Sequence, residues 1–155
     1  MNLTTVAHDT FAIERTYNAP VTHVFRAWVE PILKARWFAG SADALGAGYE
    51  LDFRVGGREV NRGGPPGGPI YTYESRFHDI VPEQRIVYTY EMSADDNRLS
   101  VSVATVQFHN HEATTHLVLT EQGVFLDGHD TAAQREEGTR SLLDSLAALL
   151  HGGAS

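Results

Sequence analysis

The chain has 155 residues, of which 42% are hydrophobic and 21% charged, and its formal net charge is −8. This balance is typical of one folded domain and excludes a disordered chain. The acidic charge, without any cluster of basic residues, argues against nucleic acid as a partner. Because the sequence has no cysteine, it excludes disulfides, a cysteine nucleophile and cysteine-ligated zinc.

The sequence contains no apolar run close to the ~20 residues that a membrane-spanning helix needs, so we expect no membrane span. Residues 1–10 have neither the basic start nor the apolar middle of a signal peptide. We therefore expect a soluble, cytoplasmic protein. Residues 1–155 are predicted to form a single domain with an ordered core from about residue 11 to residue 150.

The N-terminal part is predicted to form one strand and two short helices. Apolar and polar residues alternate over residues 11–17, which is typical of a strand with one buried face. Pro20 then suits the first turn of a helix, and apolar residues follow at helical spacing as far as Trp28. Pro31 interrupts this helix, so a second short helix is expected over residues 32–38.

Six further strands are predicted between residues 49 and 121. A tight turn at Gly56-Gly57 joins the first two strands. The Gly/Pro segment at residues 63–69 cannot hold regular structure and is predicted to be a mobile loop. The six strands are expected at residues 49–55, 58–62, 70–80, 85–92, 99–109 and 112–121, with turns at 81–84, 95–97 and 110–111.

The C-terminal segment is predicted to be a long helix. Thr131 and Gln134 have the spacing of a capping box, and leucines recur at helical intervals from Leu142 to Leu150. Gly152-Gly153 would end the helix. With ~20 residues it would be about 30 Å long, and its single apolar face must lie on the sheet.

This order predicts an α+β fold in which a seven-stranded, curved antiparallel sheet carries the long C-terminal helix over its concave face, with two short helices after the first strand. One helix is only about 10 Å wide and cannot fill that face, so large side chains or a cavity must occupy the rest. Aromatic residues with polar tips favour a cavity. The predicted lining residues are Trp37, Phe38, Tyr49, Leu51, Phe53, Tyr73, Tyr88, Tyr90, Val103, Thr105, Leu117, Leu119, Leu142 and Leu146.

Several motifs occur in the order of a known superfamily. They are Tyr17-Asn18-Ala19-Pro20-Val21, the Trp28 helix, Ala35-Arg36-Trp37-Phe38, Gly56-Gly57, the segment from Asp79 to Tyr90, and the segment from Thr115 to Thr120. Over residues 11–150 the chain resembles the SRPBCC superfamily. More narrowly, it resembles the single-domain branch that is similar to the activator of the heat-shock-protein ATPase.

The resemblance implies the helix-grip fold of the birch-pollen allergen and of the START-like lipid-transfer domains, with a hydrophobic cavity between sheet and C-terminal helix. The superfamily includes carriers, cyclases, receptors and oxygenase subunits, so the fold alone does not select a function. Members of this branch often carry Gly-Trp in the last helix. This chain has Gly138-Thr139, which should enlarge the mouth of the cavity. It has no second domain for a co-chaperone role, so the resemblance does not imply heat-shock-protein activation.

Three functional hypotheses follow from this sequence. We prefer a binding or carrier domain for a small apolar or aromatic ligand, without a cofactor, because no catalytic motif stands out. The first alternative is a cyclase-like or hydrolase-like enzyme that uses a tyrosine, arginine or glutamate in the cavity to polarise a carbonyl. The second is a stress-response or protein-interaction module whose pocket is incidental.

Histidine and serine residues give no convincing catalytic or metal site. His109, His111 and His116 could share a face, but they lie at a predicted hairpin tip and have no carboxylate at a suitable spacing. No Gly-x-Ser-x-Gly motif is present to support a serine nucleophile. We therefore predict no metal site.

Some features allow two interpretations. Trp37 and Phe38 are either core residues or a lid, and the loop at residues 63–69 is either a gate or an inert insertion. Glu74 and Arg76 are predicted to form an exposed charge pair, although an inward orientation would make them binding or acid–base candidates. A homodimer that forms through the sheet or through the short helices is also compatible with the pattern of apolar residues.

Overall fold

A computed structural model describes residues 4–152 of the chain. Its element order of strand, two helices, six strands and helix confirms the predicted helix-grip fold. The elements are β1 Val6–Tyr17, α1 Val21–Val29, α2 Pro31–Phe38, a 3-10 helix at Ala42–Ala44, β2 Tyr49–Leu51, β3 Arg58–Gly63, β4 Tyr71–Val81, β5 Arg85–Ala94, β6 Asn97–His111, β7 Thr114–Leu126 and α3 Ala132–His151.

The seven strands form one antiparallel sheet in the order β1-β7-β6-β5-β4-β3-β2. Only β1 departs from sequence order, because α1 and α2 follow it and it pairs with β7 at one edge. The register shifts between Phe77 and Asp79 in β4 and between Met92 and Ser93 in β5. Such bulges bend a strand and increase its twist, which helps the sheet to curve around its concave face.

The helices lie against the concave face of the sheet. α1 buries its apolar side, including Phe25 and Trp28, against one end of the core. Thr131 caps α3 by accepting a hydrogen bond from the Gln134 amide, as the capping box predicts. The hydroxyl of Tyr17 donates to the carbonyl of Leu143 at 3.1 Å and ties α3 to β1. The described chain ends at Gly152, so the predicted stop at Gly153 lies outside it.

Several predicted boundaries are wrong. β2 contains only residues 49–51, because the chain turns from Asp52 onward and the Gly57 amide donates to the Arg54 carbonyl. A Cβ atom on Gly57 would lie 2.1 Å from the Asp52 carbonyl oxygen, so this turn requires glycine. β1 begins earlier than predicted, at Val6, and β7 extends beyond residue 121 to Leu126.

The β6–β7 turn lies two residues later than predicted. β6 continues through His111 and β7 starts at Thr114, so the turn contains Glu112 and Ala113. Glu112 has a φ angle of 60°. This left-handed conformation is uncommon for a residue other than glycine, and a polar side chain gives only a weak sequence signal for it.

A buried ion pair attaches α2 to the β2–β3 edge of the sheet. The Lys34 ammonium lies 2.9 Å from Oε2 of Glu59, and both side chains are at most 3% exposed. The Tyr49 hydroxyl donates to the same oxygen at 2.5 Å. Burial lowers the pKa of Lys34, while the charge of Glu59 opposes that change. The ammonium also lies over the rings of Phe38, Trp28 and Trp37 at 4.5, 4.9 and 5.3 Å.

Among residues 4–152, no helix combines the length and the hydropathy that a bilayer crossing requires.

We expect the Lys34→Met substitution to lower the free energy of unfolding by about 3–5 kcal/mol, because it leaves Glu59 charged and unpaired in the core. The double variant Lys34→Met with Glu59→Gln should recover most of this loss, since glutamine still accepts from Tyr49. Urea unfolding measures both values. Arg58→Met is the matched control, because Arg58 pairs with Glu74 at the surface and should cost under about 1 kcal/mol. A loss of similar size in both single variants would contradict this role of the buried pair.

Candidate ligand-binding site

A cavity of about 340 Å³ lies between the concave face of the sheet and α3. The sheet, α3 and the two short helices each contribute one wall. The lining residues are Asn61, Tyr73, Tyr88, Tyr90, Met92, Leu119 and Glu121 from the sheet, Trp28, Trp37 and Phe38 from α1 and α2, and Asp130, Gln134, Arg135, Gly138, Thr139, Leu142 and Leu143 from α3 and the turn before it.

The cavity wall is mainly aromatic. Tyr73 packs against Tyr90 with ring centroids 4.8 Å apart and against Phe38 at 5.1 Å. Seven of the predicted lining residues lie on this wall, namely Trp37, Phe38, Tyr73, Tyr88, Tyr90, Leu119 and Leu142.

The Nε1–H of Trp37 donates to the Ala27 carbonyl at 2.8 Å, and the ring is 4% exposed. Trp37 is therefore a fixed core residue that also forms part of the wall.

Five other predicted lining residues belong to the surrounding core instead. Tyr49 is fully buried and uses its hydroxyl for Glu59. Phe53 makes edge contacts with Phe25 and Phe77 at 6.0 and 4.9 Å. The five residues outside the wall are Tyr49, Leu51, Phe53, Leu117 and Leu146.

The prediction for β6 is wrong, because Val103 and Thr105 lie on the convex face of the sheet. Val103 is 40% exposed, whereas Ala104 is fully buried and pairs with Tyr88 and Glu121. The inward positions in the first part of β6 carry small residues such as Ser100 in place of the bulky ones that alternation favours. The Arg135 side chain occupies the space above them and donates to Ser100 Oγ at 2.8 Å.

A polar cluster forms one end of the cavity. Tyr90 donates its hydroxyl hydrogen to Oε1 of Glu121 at 2.7 Å, and Arg135 donates to the Tyr90 oxygen at 2.9 Å. Arg135 also forms an ion pair with Asp130 at 2.7 Å. These bonds link β5, β7 and the start of α3, so the cluster is held from three directions.

The carboxylate of Glu121 is buried and only partly satisfied. Burial raises its pKa above the ordinary value, while the hydrogen bond from Tyr90 and the charge of Arg135 oppose that rise. Burial also raises the pKa of the Tyr90 hydroxyl, so it remains a donor at neutral pH. Within residues 4–152, neither Oε2 of Glu121 nor Nε1 of Trp28 has a hydrogen-bond partner, and both side chains line the cavity.

Sequence reasoning missed Glu121 and Arg135. A signal was present for both. Glu121 follows Leu117 and Leu119 at intervals of two, so it shares their inward face. Arg135 precedes Leu142 by seven residues, which places both on one side of α3. Both were overlooked because charged residues are usually exposed.

The histidine and charge-pair candidates of the sequence form neither a metal site nor a buried polar cluster. His116 uses Nε2 for Glu14 at 2.8 Å and Nδ1 for Thr16 at 3.3 Å. No group of three or more potential metal ligands occurs in the described part of the chain. Glu74 and Arg76 are both exposed, but Glu74 pairs with Arg58 across β3 and β4 at 3.2 Å.

The start of β4 is tied to the β5–β6 turn. The Ile70 amide donates to Oδ1 of Asp95 at 2.9 Å, and the Asp95 amide donates to the Ile70 carbonyl at 2.8 Å. The Gly/Pro loop therefore ends at a fixed point. These bonds do not distinguish a gate from an insertion, and both interpretations of residues 63–69 stay predictions.

Residues 18–151 match the model of the family described as Activator of Hsp90 ATPase homolog 1-like protein. The chain belongs to this family. Membership confirms the resemblance to the SRPBCC superfamily. Two proteins of known structure are similar to this chain over nearly its whole length. A protein from Rhizobium leguminosarum is 41% identical with a TM-score of 0.90, and the match covers 97% of this chain and 99% of that one. Mll3558 from Rhizobium loti is 46% identical with a TM-score of 0.88, covering 94% and 99%.

More distant structures share the fold of this chain. DynU16, a protein of the dynemicin biosynthetic locus, is 17% identical with a TM-score of 0.66, and the match covers 94% of this chain and 48% of DynU16. At this identity the likeness concerns the fold alone. A search of the curated proteins gives no match to the chain.

We expect Glu121→Gln to change the pH dependence of stability in this family member. Burial raises the folded-state pKa of Glu121, so the folded state binds a proton more tightly than the unfolded state and the parent loses stability as the pH rises through this range. Glutamine cannot ionise. The stability of the variant relative to the parent should therefore increase as the pH rises from about 4.3, the ordinary pKa of glutamate, through the raised pKa of Glu121 in the folded state.

Urea unfolding at several pH values measures this difference. The control is Glu137→Gln, which alters an exposed glutamate of α3 and should shift stability by no more than about 0.5 kcal/mol at every pH. A difference between Glu121→Gln and parent that stays constant with pH, or that falls as the pH rises, would contradict the stated cost of burying this carboxylate.

Proposed function

We propose that this protein binds one small apolar or aromatic molecule in the cavity beneath α3 and serves as a binding or carrier domain. The observation that carries this proposal is the composition of the cavity wall. Aromatic and aliphatic side chains surround one localised polar cluster at Glu121 and Arg135. Ligand sites in proteins have this composition, in which apolar surface supplies affinity and a few polar groups fix the orientation.

The size of the cavity limits the ligand class. Its volume of about 340 Å³ is near the lower end of the ~300–1,000 Å³ typical of small-molecule sites. At ~30 Å³ for each water in the liquid, it has room for a molecule of roughly ten non-hydrogen atoms. A bicyclic aromatic compound fits this volume.

The face of α3 at Gly138 is the proposed entrance. Gln134 and Gly138 line the cavity and are also exposed. Apart from the adjacent backbone of α3 itself, no atom lies within 4 Å of the position that a Cβ atom on Gly138 would occupy, so the helix presents an open surface there. The neighbouring residue, Thr139, also lines the cavity, and its small side chain leaves this side wider than a large aromatic residue would.

A cyclase-like or hydrolase-like enzyme is the second candidate, and the polar cluster is the observation that favours it. Glu121 has the raised pKa expected of a general base, and Arg135 could stabilise an oxyanion. We prefer binding because Arg135 already donates to Tyr90, Ser100 and Asp130. Mass spectrometry of the bound molecule distinguishes the two functions. A carrier releases its ligand unchanged, whereas an enzyme releases a product of different mass or structure.

We expect Thr139→Trp to weaken binding of a bicyclic aromatic probe such as 2-naphthol by at least tenfold, because an indole at this position would occupy cavity volume. Isothermal titration calorimetry measures the change. Ser141→Trp is the matched control, since Ser141 is exposed on the same helix and does not line the cavity. Equal affinities of the parent and Thr139→Trp would contradict the proposed location of the ligand.

A further inference from the structure

We propose that the ligand carries a hydrogen-bond donor, a hydroxyl or an uncharged N–H group, that binds the carboxylate of Glu121. This inference rests on the proposed binding function and specifies its ligand class. The position of Glu121 on the cavity wall, its burial and the direction of the hydrogen bonds around it carry the inference.

The Glu121 carboxylate has unused acceptor capacity. An ionised carboxylate has about four lone-pair sites for hydrogen bonds, and within residues 4–152 only the Tyr90 hydroxyl donates to this one. The side chain is 3% exposed, so bulk water does not compensate for the missing donors. Rotation about the last side-chain bond exchanges the two oxygens, which lets a ligand and Tyr90 share the carboxylate.

One chain of hydrogen bonds in the cluster runs toward Glu121. Arg135 donates to the oxygen of Tyr90, and Tyr90 uses its single O–H to donate to Glu121. An ionised carboxylate accepts hydrogen bonds and donates none. A ligand group that completes the cluster at the ionised carboxylate of Glu121 is therefore a donor.

The charges of the cluster disfavour an anionic ligand. Arg135 is already paired with Asp130 at 2.7 Å. The remaining charge at this end of the cavity is the negative charge of Glu121. A ligand carboxylate would be repelled there, whereas an O–H or N–H group on an apolar ring system would complement both the charge and the aromatic wall.

The test compares bicyclic probes of nearly equal size by calorimetric titration of the full-length protein at pH 7. The probes are 2-methylnaphthalene, 2-naphthol, 2-naphthylamine and 2-naphthoate. We expect 2-naphthylamine and 2-naphthol to bind at least tenfold more tightly than 2-methylnaphthalene, since a hydrogen bond to a charged group is worth about one decade or more in affinity. We expect 2-naphthoate to bind more weakly than 2-methylnaphthalene.

The Glu121→Gln variant separates this residue from the rest of the cavity. Its amide NH₂ would face the N–H of 2-naphthylamine, so the advantage of that probe over 2-methylnaphthalene should fall below about threefold. Glu137→Gln, on the exposed face of α3, should keep the full advantage.

Two results overturn the inference and leave the binding function intact. One is equal binding of 2-methylnaphthalene and the two donor probes, or tightest binding of 2-naphthoate. The other is a donor preference that persists unchanged in a folded Glu121→Gln variant. Failure of all four probes to bind the parent would instead overturn the proposed function and this inference together. The comparison in the parent protein needs no variant, so it is decisive even if Glu121→Gln does not fold.

Discussion

The structure depends on a mismatch of width between one helix and the sheet that it covers. Seven strands at ~4.8 Å spacing make a sheet roughly 29 Å wide, while a helix with its side chains is about 10–12 Å across. α3 therefore covers only part of the concave face. α1 and α2 fill one end, where the buried pair of Lys34 and Glu59 holds α2 in place. The space between them is the cavity.

The same geometry produces the polar end of the site. Small residues on the inward face of β6, including Ser100, leave room for the long Arg135 side chain to reach across the sheet. Arg135 then meets Tyr90 and, through it, Glu121. Packing and the polar end of the cavity are thus coupled in this protein, because the residue that fills the space over β6 also binds the tyrosine that donates to Glu121.

The fold was predictable from sequence to a greater extent than the site. Strong periodicity in β1, β5, β7 and α3 identified these elements and their inward faces, because each buries bulky apolar side chains. It failed for Val103, since the first part of β6 places valines on its convex face and serine and alanine on its inward one. Glu121 and Arg135 escaped notice because only tertiary contacts distinguish a buried, bonded charge from an exposed one.

Intermolecular NOEs between 2-naphthol and the methyl groups of the protein test the central claim most directly. Leu119 and Leu142 line the cavity, whereas Val101 and Val103 are exposed on the convex face of the sheet. A ligand held beneath α3 gives NOEs from its ring protons to the leucine methyls and none to the two valines. NOEs to the valines without any to Leu119 and Leu142 would show that the ligand binds outside the cavity and would contradict the account.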